Sequence, residues 1–395
     1  MTQVFLPLVV LLLLFAALLR DDFAITLIYL LVGAFALGTW WSRRSLGHIR
    51  FTRRFAAWAF LGEKIDVGIQ INNTSWLPVV WLNIQESLPV ALRTFPSYER
   101  VTTLGPRGEA RYQYTLEARK RGYYPIGPLF VSSGDIFGLS GIVRLQGQIQ
   151  HLTVYPKIVP LTSIDIPSRS PQGTLRHTQP IFEDPTRIFS KRDYVAGDSL
   201  RRVDWKASAT IGRLQVKLFE PSIALETLIF LNLNADDYQI FTRIDSTELA
   251  IVIAASVAAW VAGRKQTVGL MVNGRDPLME DSLPQDIPPR KGQAHLMRIL
   301  ESLARVEMAS NASFTEMIRQ ERYHLSWGTT LLVITGRVSD GLLDELYQAR
   351  RAGQNVVLIL AGPSASYQEI SRKAGHFAIP VVSIPDERSM DIWRN

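Results

Sequence analysis

Residues 228–233 read LIFLNL, a run of strand length, and a similar run, TLLVIT, occupies residues 330–335. Three more apolar runs of this length occur in the same half of the chain, at Thr267–Val272, Val356–Ala361 and Pro380–Ile384. Helix-like segments alternate with these runs, at residues 245–263, Gln293–Met308, Phe314–Arg322, Leu342–Arg351 and Tyr367–Lys373. Strands and helices that alternate along a chain form a largely parallel sheet with helices on both faces. The C-terminal half is therefore predicted to be a doubly wound α/β domain.

The first helix of this domain is also its most apolar one. Asp245 and Glu248 are spaced as in a capping box, which predicts that the helix begins there and ends near Gly263. Its uninterrupted apolar stretch, Leu249 to Ala262, is shorter than the roughly 17–25 residues that a membrane span requires. We interpret it as a buried helix. Ligands of doubly wound sheets bind beyond the carboxyl ends of the strands, which are near residues 232–237 and 335–337 here.

Upstream of this domain, the chain contains short alternating runs of strand type. Examples are IDVGIQI at residues 65–71 and RYQYTL at residues 111–116, and turn-forming residues separate such runs. Short strands with frequent turns predict a β-rich, sandwich-like domain over residues 46–160. Residues 161–190 are rich in Pro, Ser, Thr and Gly and are predicted to be a linker. Residues 191–395 then form the last domain.

The N-terminal 45 residues are strongly apolar. The runs VFLPLVVLLLLFAALL (residues 4–19) and FAITLIYLLVGAFALGTWW (residues 23–41) are separated only by Arg20, Asp21 and Asp22. Because a spanning helix needs about 20 apolar residues, residues 1–45 are predicted to be a hairpin of two transmembrane helices. A cleaved signal peptide is disfavoured because no Lys or Arg precedes the first run. The lack of a polar stripe disfavours a buried hairpin of a soluble protein.

Composition and charge narrow the class of protein further. The 395-residue chain is 47% hydrophobic and 20% charged, which excludes a disordered chain and a polytopic membrane protein. Five arginines and no acid follow the second apolar run, between residues 43 and 54. The positive-inside rule therefore predicts a two-pass protein of the cytoplasmic (inner) membrane with its soluble domains in the cytoplasm. The net charge of +7 then indicates contact with membrane lipid rather than with nucleic acid. The absence of cysteine excludes disulfides and cysteine nucleophiles.

The densest polar motif is RDYVAGDSLRRVDWK, residues 192–206. Asp198 or Ser199 is predicted to cap a short helix on which Arg201 and Trp205 share a face, with Asp204 close to Arg201. The block is either a charged surface for a partner or, as we favour, a buried ion-pair network closed by Trp205 that fastens the β-rich domain to the α/β domain. Its candidate residues are Arg192, Asp193, Tyr194, Gly197, Asp198, Arg201, Asp204, Trp205 and Lys206.

This block resembles the signature of the bacterial and archaeal domain-of-unknown-function family fifty-eight. The upstream segments RGYY (121–124), DIFGL (135–139) and VYP (154–156) follow in the order that this family shows. The resemblance implies two N-terminal membrane helices, a β-rich segment and a C-terminal von Willebrand A-like domain. It also implies a partnership with AAA-type ATPases of the MoxR group, which are thought to act as chaperones that assemble or activate other complexes.

Domains of the von Willebrand A type often bind a divalent cation through Asp-x-Ser-x-Ser after the first strand and through a later Thr and Asp. The matching positions here are Asn232, Asn234 and Asp236, followed by Thr335 and then Gly336. Asp236 is the only obvious anionic ligand, with Asp237 beside it. We therefore expect no bound metal and no other cofactor, and these residues are expected to shape the loop; Mg²⁺ is the cation considered for this position.

Two functions follow from the sequence. The first is a non-enzymatic, membrane-anchored adaptor or scaffold that works with a MoxR-type AAA ATPase. The alternative is a metal-dependent protein-binding module of the von Willebrand A type that acts without an ATPase. An enzyme and a small-molecule substrate are not expected, because the sequence contains no phosphate-binding loop, dinucleotide-binding turn, zinc-protease helix or nucleophile elbow.

Overall fold

The computed structural model describes residues 7, 9–14, 22–92, 98–134, 142–162, 183–195, 198–221, 226–278, 286–310 and 313–393. Its contacts divide the chain into two units. Unit 1 comprises residues 1–157 and 300–305, and unit 2 comprises residues 158–299 and 306–395.

Helix α1 (Asp22–Leu46) belongs to unit 1, and its segment Ile25–Leu46 is long and apolar enough to cross a membrane. Only 11% of its most apolar window is buried, whereas the other helix that passes this test, Arg243–Gly263, is 67% buried. That contrast is expected for a membrane span and a core helix. The other predicted span, residues 4–19, lies largely outside the described residues.

The C-terminal end of α1 is packed into unit 1. Ser42, Ser45 and Leu46 are buried, and the indole nitrogen of Trp41 donates to the carbonyl oxygen of Pro78 at 3.0 Å. Two residues separate the end of α1 from the first strand. The helix and the strands of unit 1 are therefore joined without a flexible linker.

Unit 1 is strand-rich, as predicted. Its strands are β1 (Ile49–Arg54), β2 (Trp58–Phe60), β3 (Lys64–Asn73), β4 (Val79–Glu86), β5 (Tyr98–Leu104), β6 (Glu109–Glu117), β7 (Gly122–Ile126), β8 (Leu129–Ser133), β9 (Val143–Gln146) and β10 (Gln150–Tyr155), with a 3-10 turn at Val90–Leu92. They form three sheets, in the orders β1-β3-β6, β2-β10-β7 and β5-β4-β8-β9. All pairs are antiparallel except β2 with β10.

Strand β3 holds the core of unit 1 together. Its apolar residues alternate with polar ones, so that Ile65, Val67, Ile69 and Ile71 all lie on the buried side. Ile69 and Ile71 pack with residues of β4 and β8, whereas Ile65 and Val67 pack with residues of β7 and β10. One strand thus contributes to both apolar clusters.

A buried ionic group lies among these strands. The side chain of Glu86 at the end of β4 has no exposed surface, and it accepts hydrogen bonds from the Arg53 guanidinium and the Tyr114 hydroxyl. Burial, and then the neighbouring Glu86 carboxylate, raise the pKa of Tyr114, which keeps its hydroxyl as a donor. A buried carboxylate such as this one destabilises the fold if its hydrogen-bonding partners are removed.

Replacement of Glu86 by alanine is therefore expected to destabilise unit 1 strongly. The change leaves the Arg53 guanidinium buried without its anion, which costs about 3–5 kcal/mol. The matched control is Glu109→Ala, because Glu109 pairs with Arg111 on an exposed surface. Thermal unfolding followed by circular dichroism should show a much lower midpoint for Glu86→Ala than for Glu109→Ala. Equal midpoints would contradict this account.

Unit 2 is the predicted α/β domain. It contains β11 (Glu183–Asp193), α2 (Trp205–Ile211), β12 (Gln215–Pro221), β13 (Glu226–Leu231), α3 (Arg243–Gly263), β14 (Thr267–Val272), β15 (Ile287–Arg290), most of α4 (Gln293–Arg305), α5 (Phe314–Arg322), β16 (Thr330–Thr335), α6 (Asp340–Arg351), β17 (Asn355–Ala361), α7 (Tyr367–His376) and β18 (Val381–Ile384). Short 3-10 segments lie at Leu200–Arg202, Ala235–Asp237 and Glu387–Trp393. The six-stranded sheet has the order β15-β14-β13-β16-β17-β18, and β11 pairs with β12 separately.

The six-stranded sheet is parallel except at one edge and is covered on both faces. Only β15 runs antiparallel to its neighbour. Leu228 and Phe230 of β13 pack with residues of α5, α6 and α7, and the alternate residues Ile229 and Leu231 are also fully buried. Helix α3 packs on β13, β14, β16 and β17. This is the near-continuous burial typical of parallel strands.

Several sequence-based boundaries are corrected by the structure. The residue that precedes α3 is Thr242, so the predicted capping box is wrong; Asp245 lies within the first turn, where its charge favours the helix dipole. Strand β15 was not predicted. Strand β11 begins at Glu183, inside the predicted linker, and residues 163–182 lie outside the described residues.

Candidate functional site

The order of the large sheet determines where a site can form. Strand β13 is followed in the chain by β14 on one side, whereas β16 lies on its other side. The chain therefore reverses its winding direction at β13, and such a point leaves a crevice beyond the carboxyl ends of the strands. Polar residues follow both β13 and β16 there.

The amide of Asn232, which follows β13, organises this edge. Its nitrogen donates to Asp237 Oδ2 and to Thr335 Oγ1, each at 2.9 Å. Its oxygen accepts from the backbone nitrogen of Asn234 at 3.0 Å and from the Asn273 amide at 2.8 Å. Asn232 is 1% exposed. All four hydrogen-bonding positions of a buried amide are thus occupied.

Three of the four predicted positions meet at this point. Asn232 and Thr335 are bonded directly, and the amide of Asn234 donates to Asp237 Oδ2 at 3.2 Å. The fourth, Asp236, is exposed, and its neighbour Asp237 takes the place that was predicted for it. The reason is the 3-10 turn over Ala235–Asp237, which directs Asp237 back towards Asn232.

The backbone beneath this network is closely packed. The Tyr238 hydroxyl donates to the carbonyl oxygen of Asn232 at 2.6 Å, and burial, together with the nearby Asp237 carboxylate, raises the pKa of Tyr238. A Cβ atom at Gly336 would lie 2.3 Å from the Tyr238 ring, so only glycine fits after Thr335. The position at which a cation-binding domain would need a carboxylate is therefore filled by an aromatic ring.

A pocket of about 340 Å³ opens over the network. Its lining residues are Asn232, Asn234, Asp237, Ser313, Phe314, Thr315, Arg337, Ser339 and Leu342. Ser313 and Ser339 cap the N-termini of α5 and α6, where their side chains accept from the backbone nitrogens of Glu316 and Leu342. Two helix N-termini and one arginine therefore face the same space.

The donor set does not suit a divalent cation. Among the described residues, no group of three His, Cys, Asp or Glu side chains could hold a metal, and Asp237 is the only carboxylate that lines the pocket. Mg²⁺ is held by carboxylate and water oxygens. An aspartate at position 232 would place a second buried carboxylate beside Asp237 and require a cation, whereas Asn232 closes the network without one. The sequence-based expectation of no metal and no cofactor stays a prediction.

A few residues after Asp237 of the pocket, the segment that leads into α3 exposes apolar side chains. Phe241 is fully exposed, and Ile240 and Ile244 are 76% and 61% exposed. The loop is fixed at its base, because the Gln239 amide donates to the carbonyl oxygen of Pro363, which follows β17. Solvent-exposed aromatic and branched residues on a fixed loop are typical of protein-binding surfaces.

The signature block forms the end of the β11–β12 hairpin. Arg192 binds Asp198 through two nitrogens, at 2.7 and 2.8 Å, and Lys191 binds Asp204 at 2.8 Å. Asp204 also caps α2 by accepting from the backbone nitrogen of Ala207. The Gln215 amide donates to Asp193. These bonds tie the segment between the two strands to the strands themselves.

The interpretation of this block as a buried network is wrong. Arg192 and Lys191 each expose more than two fifths of their side chains, and Trp205, which was expected to close the network, is 65% exposed. Neither Asp198 nor Ser199 caps the helix; Asp204 does, because a 3-10 turn ends at Arg202 before α2 begins. Arg201 and Trp205 therefore do not share a continuous helix.

The same segment has an apolar as well as a basic surface. Its exposed large apolar side chains are Val195, Leu200, Trp205, Ile211 and Leu214. Arg201, Lys206 and Arg213 are exposed and form no ion pair with any described residue. Tyr194 is half-buried, and Gly197 lies outside the described residues. This surface, formed by residues 194–195 and 198–214, is called the hairpin tip below.

Sequence reasoning missed Asn273, Tyr238, Ser313 and Ser339 as members of the pocket region, whereas Arg337 lies in the strand-end segment 335–337 where a ligand was expected. Asn273 follows β14 and its side-chain oxygen accepts from the backbone nitrogen of Leu233 at 2.6 Å. Its position at the end of a neighbouring parallel strand was a usable signal. The two serines precede helices, where capping is their ordinary role, so their sequence context did not indicate a pocket.

The chain thus combines a strand-rich unit carrying an apolar helix with a parallel α/β unit that has a polar pocket at its winding reversal. Residues 190–361 match the family described as "Protein of unknown function DUF58". An uncharacterized protein of Bacillus subtilis (strain 168), YeaD, is 23% identical over 314 residues, which cover 76% of this chain and 72% of that protein.

Two solved structures to which the chain is similar have low TM-scores. A CARDB domain from Pyrococcus furiosus covers 27% of this chain and 94% of its own length, with 9% identity and a TM-score of 0.20. The human complex of zinc 2-glycoprotein with prolactin inducible protein covers 27% of this chain and 92% of the matched chain, with 10% identity and a TM-score of 0.23. At these TM-scores neither structure supports an argument on fold or function.

The ion pairs of the hairpin tip predict a dependence on pH. The pKa of Asp198 lies below the ordinary value of 3.8, mainly because Arg192 donates a hydrogen bond to it and also because the backbone of Val195 does. The pKa of Asp204 is lowered in the same way, mainly by Lys191 and also by the backbone of Ala207. A carboxyl with a lowered pKa stabilises the folded hairpin above that value and loses this effect as pH falls below it.

Hydrogen exchange of residues 191–217, corrected for intrinsic rates, should therefore accelerate between about pH 5 and pH 3. A double variant, Asp198→Asn with Asp204→Asn, should exchange faster at the higher pH and show little further change. The β16 segment, which contains no ionisable residue, is the internal reference. A wild-type hairpin with pH-independent exchange would contradict the role of these ion pairs.

Proposed function

We propose that this protein is a non-enzymatic, membrane-anchored adaptor that works with a MoxR-type AAA ATPase in the assembly or activation of other protein complexes. In this proposal α1 provides the anchor and unit 2 is a von Willebrand A-like interaction domain. The family match over residues 190–361 and the doubly wound sheet support it. The correspondence of Asn232, Asn234 and Thr335 with the cation-binding positions of that domain type supports it as well.

The observation that carries the proposal is that two segments among the described residues of unit 2 expose apolar side chains. One is the segment with Ile240, Phe241 and Ile244 at the start of α3, and the other is the hairpin tip. Exposed apolar surface of this kind marks sites of interaction. An adaptor has to contact two proteins at once, and two surfaces on one unit meet that requirement.

The topology in this proposal places unit 2 in the cytoplasm, because the arginines after α1 remain on that side. Since the chain has no native cysteine, Gln348→Cys provides one thiol at an exposed position of α6. A membrane-impermeant maleimide is expected to label it in inverted inner-membrane vesicles and not in intact spheroplasts. Labelling in intact spheroplasts would refute the topology.

Replacement of Phe241 by serine is expected to weaken capture of the ATPase by about tenfold, because an exposed aromatic anchor contributes about 1.4 kcal/mol or more to such interfaces. The measurement is affinity capture of the tagged full-length protein from detergent-solubilised membranes, with quantification of the co-purified ATPase with and without nucleotide.

The matched control is Tyr323→Ser, which removes an aromatic side chain of similar exposure (74%) at the far end of α5 from the pocket. Capture should be unchanged in this variant. If neither the wild-type protein nor the control captures an ATPase, the proposed partner is wrong. If Phe241→Ser captures it as well as wild type, the loop is not the interface.

The alternative function, a metal-dependent binding module that acts without an ATPase, is motivated by the meeting of Asn232, Asp237 and Thr335 at one point. Arg337 in the same pocket opposes it, because a guanidinium repels a divalent cation. We therefore place the adaptor first.

A further inference from the structure

We propose that the pocket over Asn232 binds a carboxylate side chain of the protein partner directly through Arg337, without a metal ion. This inference rests on the proposed function, because it assigns the chemistry of the partner at the interaction surface next to Phe241. It goes beyond that function by naming the recognised group and the residue that recognises it.

Arg337 is available for a ligand. The residue lines the pocket and is exposed, and no described carboxylate forms an ion pair with it. Nearby acids are already engaged: Glu316 pairs with Arg319 at 2.9 Å, and Asp340 pairs with Lys373 at 3.0 Å. Asp237 accepts two amide hydrogens from within the network. Arg337 is therefore free to form a bidentate pair with an incoming carboxylate.

The net charge at the pocket also favours a carboxylate ligand. Arg337 contributes one positive charge and Asp237 one negative charge. The N-termini of α5 and α6 each add about half a positive charge where their first turns face the pocket. The sum is about +1. This sum matches a carboxylate, which carries one negative charge, better than a phosphate monoester, which carries about −1.5 to −2 near pH 7.

The pocket also offers further hydrogen-bond donors. Thr315 lines it, and so do residues at the start of α5 and α6, where the first backbone nitrogens of a helix have no partner within the helix. The cap side chains of Ser313 and Ser339 satisfy only the nitrogens of Glu316 and Leu342. A carboxylate bound by Arg337 would thus find a second set of donors for its other oxygen.

The test uses the full-length chain in nanodiscs of neutral phosphatidylcholine, with a reporter beside the pocket. Gly341 lies in the first turn of α6, and a Cβ atom there has no neighbour within 4 Å. Because the chain has no native cysteine, Gly341→Cys can carry a single trifluoromethyl label, and its fluorine-19 resonance reports on ligands in the pocket.

The probes are N-acetylglutamate methylamide, its neutral glutamine analogue and inorganic phosphate, each titrated at constant ionic strength. The titrations are run once with EDTA and once with added Mg²⁺. We expect a saturable shift with the glutamate probe, the same in EDTA and Mg²⁺, and no saturable shift with the glutamine analogue.

Variants then identify the residue responsible. Arg337→Gln should weaken binding of the glutamate probe by roughly tenfold or more, because it removes charge-assisted hydrogen bonds. The matched control is Arg351→Gln, an exposed arginine at the C-terminal end of α6 and about 15 Å from Gly341 along the helix axis, and it should bind as the labelled parent does.

The proposal is overturned if the glutamate probe gives no saturable shift, if its binding requires Mg²⁺, if phosphate alone binds, or if Arg337→Gln binds as well as Arg351→Gln. No ATPase is present in these titrations. A failure here and a failure to capture the ATPase are therefore separate results, and each can occur without the other.

Discussion

The amide of Asn232 is the interaction on which the functional edge of this protein depends. It joins the end of β13 to the end of β16 through Thr335, to the end of β14 through Asn273, and to the following turn through Asp237. Three strand ends and one loop thus take their positions from a single side chain. Because the amide is 1% exposed, any unmade bond would leave a buried polar group without a partner.

The identity of this residue also determines the electrostatics of the pocket. Asparagine both donates and accepts, so the network closes with Asp237 as its single charge. A carboxylate in its place could accept but not donate, and it would then face the Asp237 carboxylate without a hydrogen between them. Such an arrangement needs a cation from solution. In the present sequence the positive charge is supplied by the chain, at Arg337 and at two helix N-termini.

The strands of unit 2 could be predicted well because they are buried on both faces. The predicted first and last residues of the strands at 267–272 and 330–335 are the same as the observed ones. A continuous apolar run bounded by polar residues leaves little choice of where the strand begins and ends. Strand β15, residues Ile287–Arg290, contains two prolines and lies at the sheet edge, where tertiary pairing rather than sequence pattern defines a strand.

The candidate site was predicted less completely, and the reasons are local. The choice between Asp236 and Asp237 depends on a 3-10 turn that changes which of two adjacent side chains points inward. In the signature block, the spacing placed Asp204 close to Arg201, whereas Asp204 pairs with Lys191 and Asp198 with Arg192, and these pairs are not buried. The 3-10 turn at Leu200–Arg202 displaces α2, and a helical spacing rule applied across that break paired Arg201 with the wrong neighbours.

The junction between α1 and β1 has a mechanical consequence. Only Gly47 and His48 separate the helix from the strand, the His48 ring bonds to the carbonyl oxygen of Arg44 at 2.8 Å, and Leu46 is part of the apolar core of unit 1. Because this junction is rigid, a change in the tilt of α1 also changes the orientation of the strands of unit 1. If α1 is the membrane anchor that we propose, a change in bilayer thickness that tilts α1 would turn the strands of unit 1 with it.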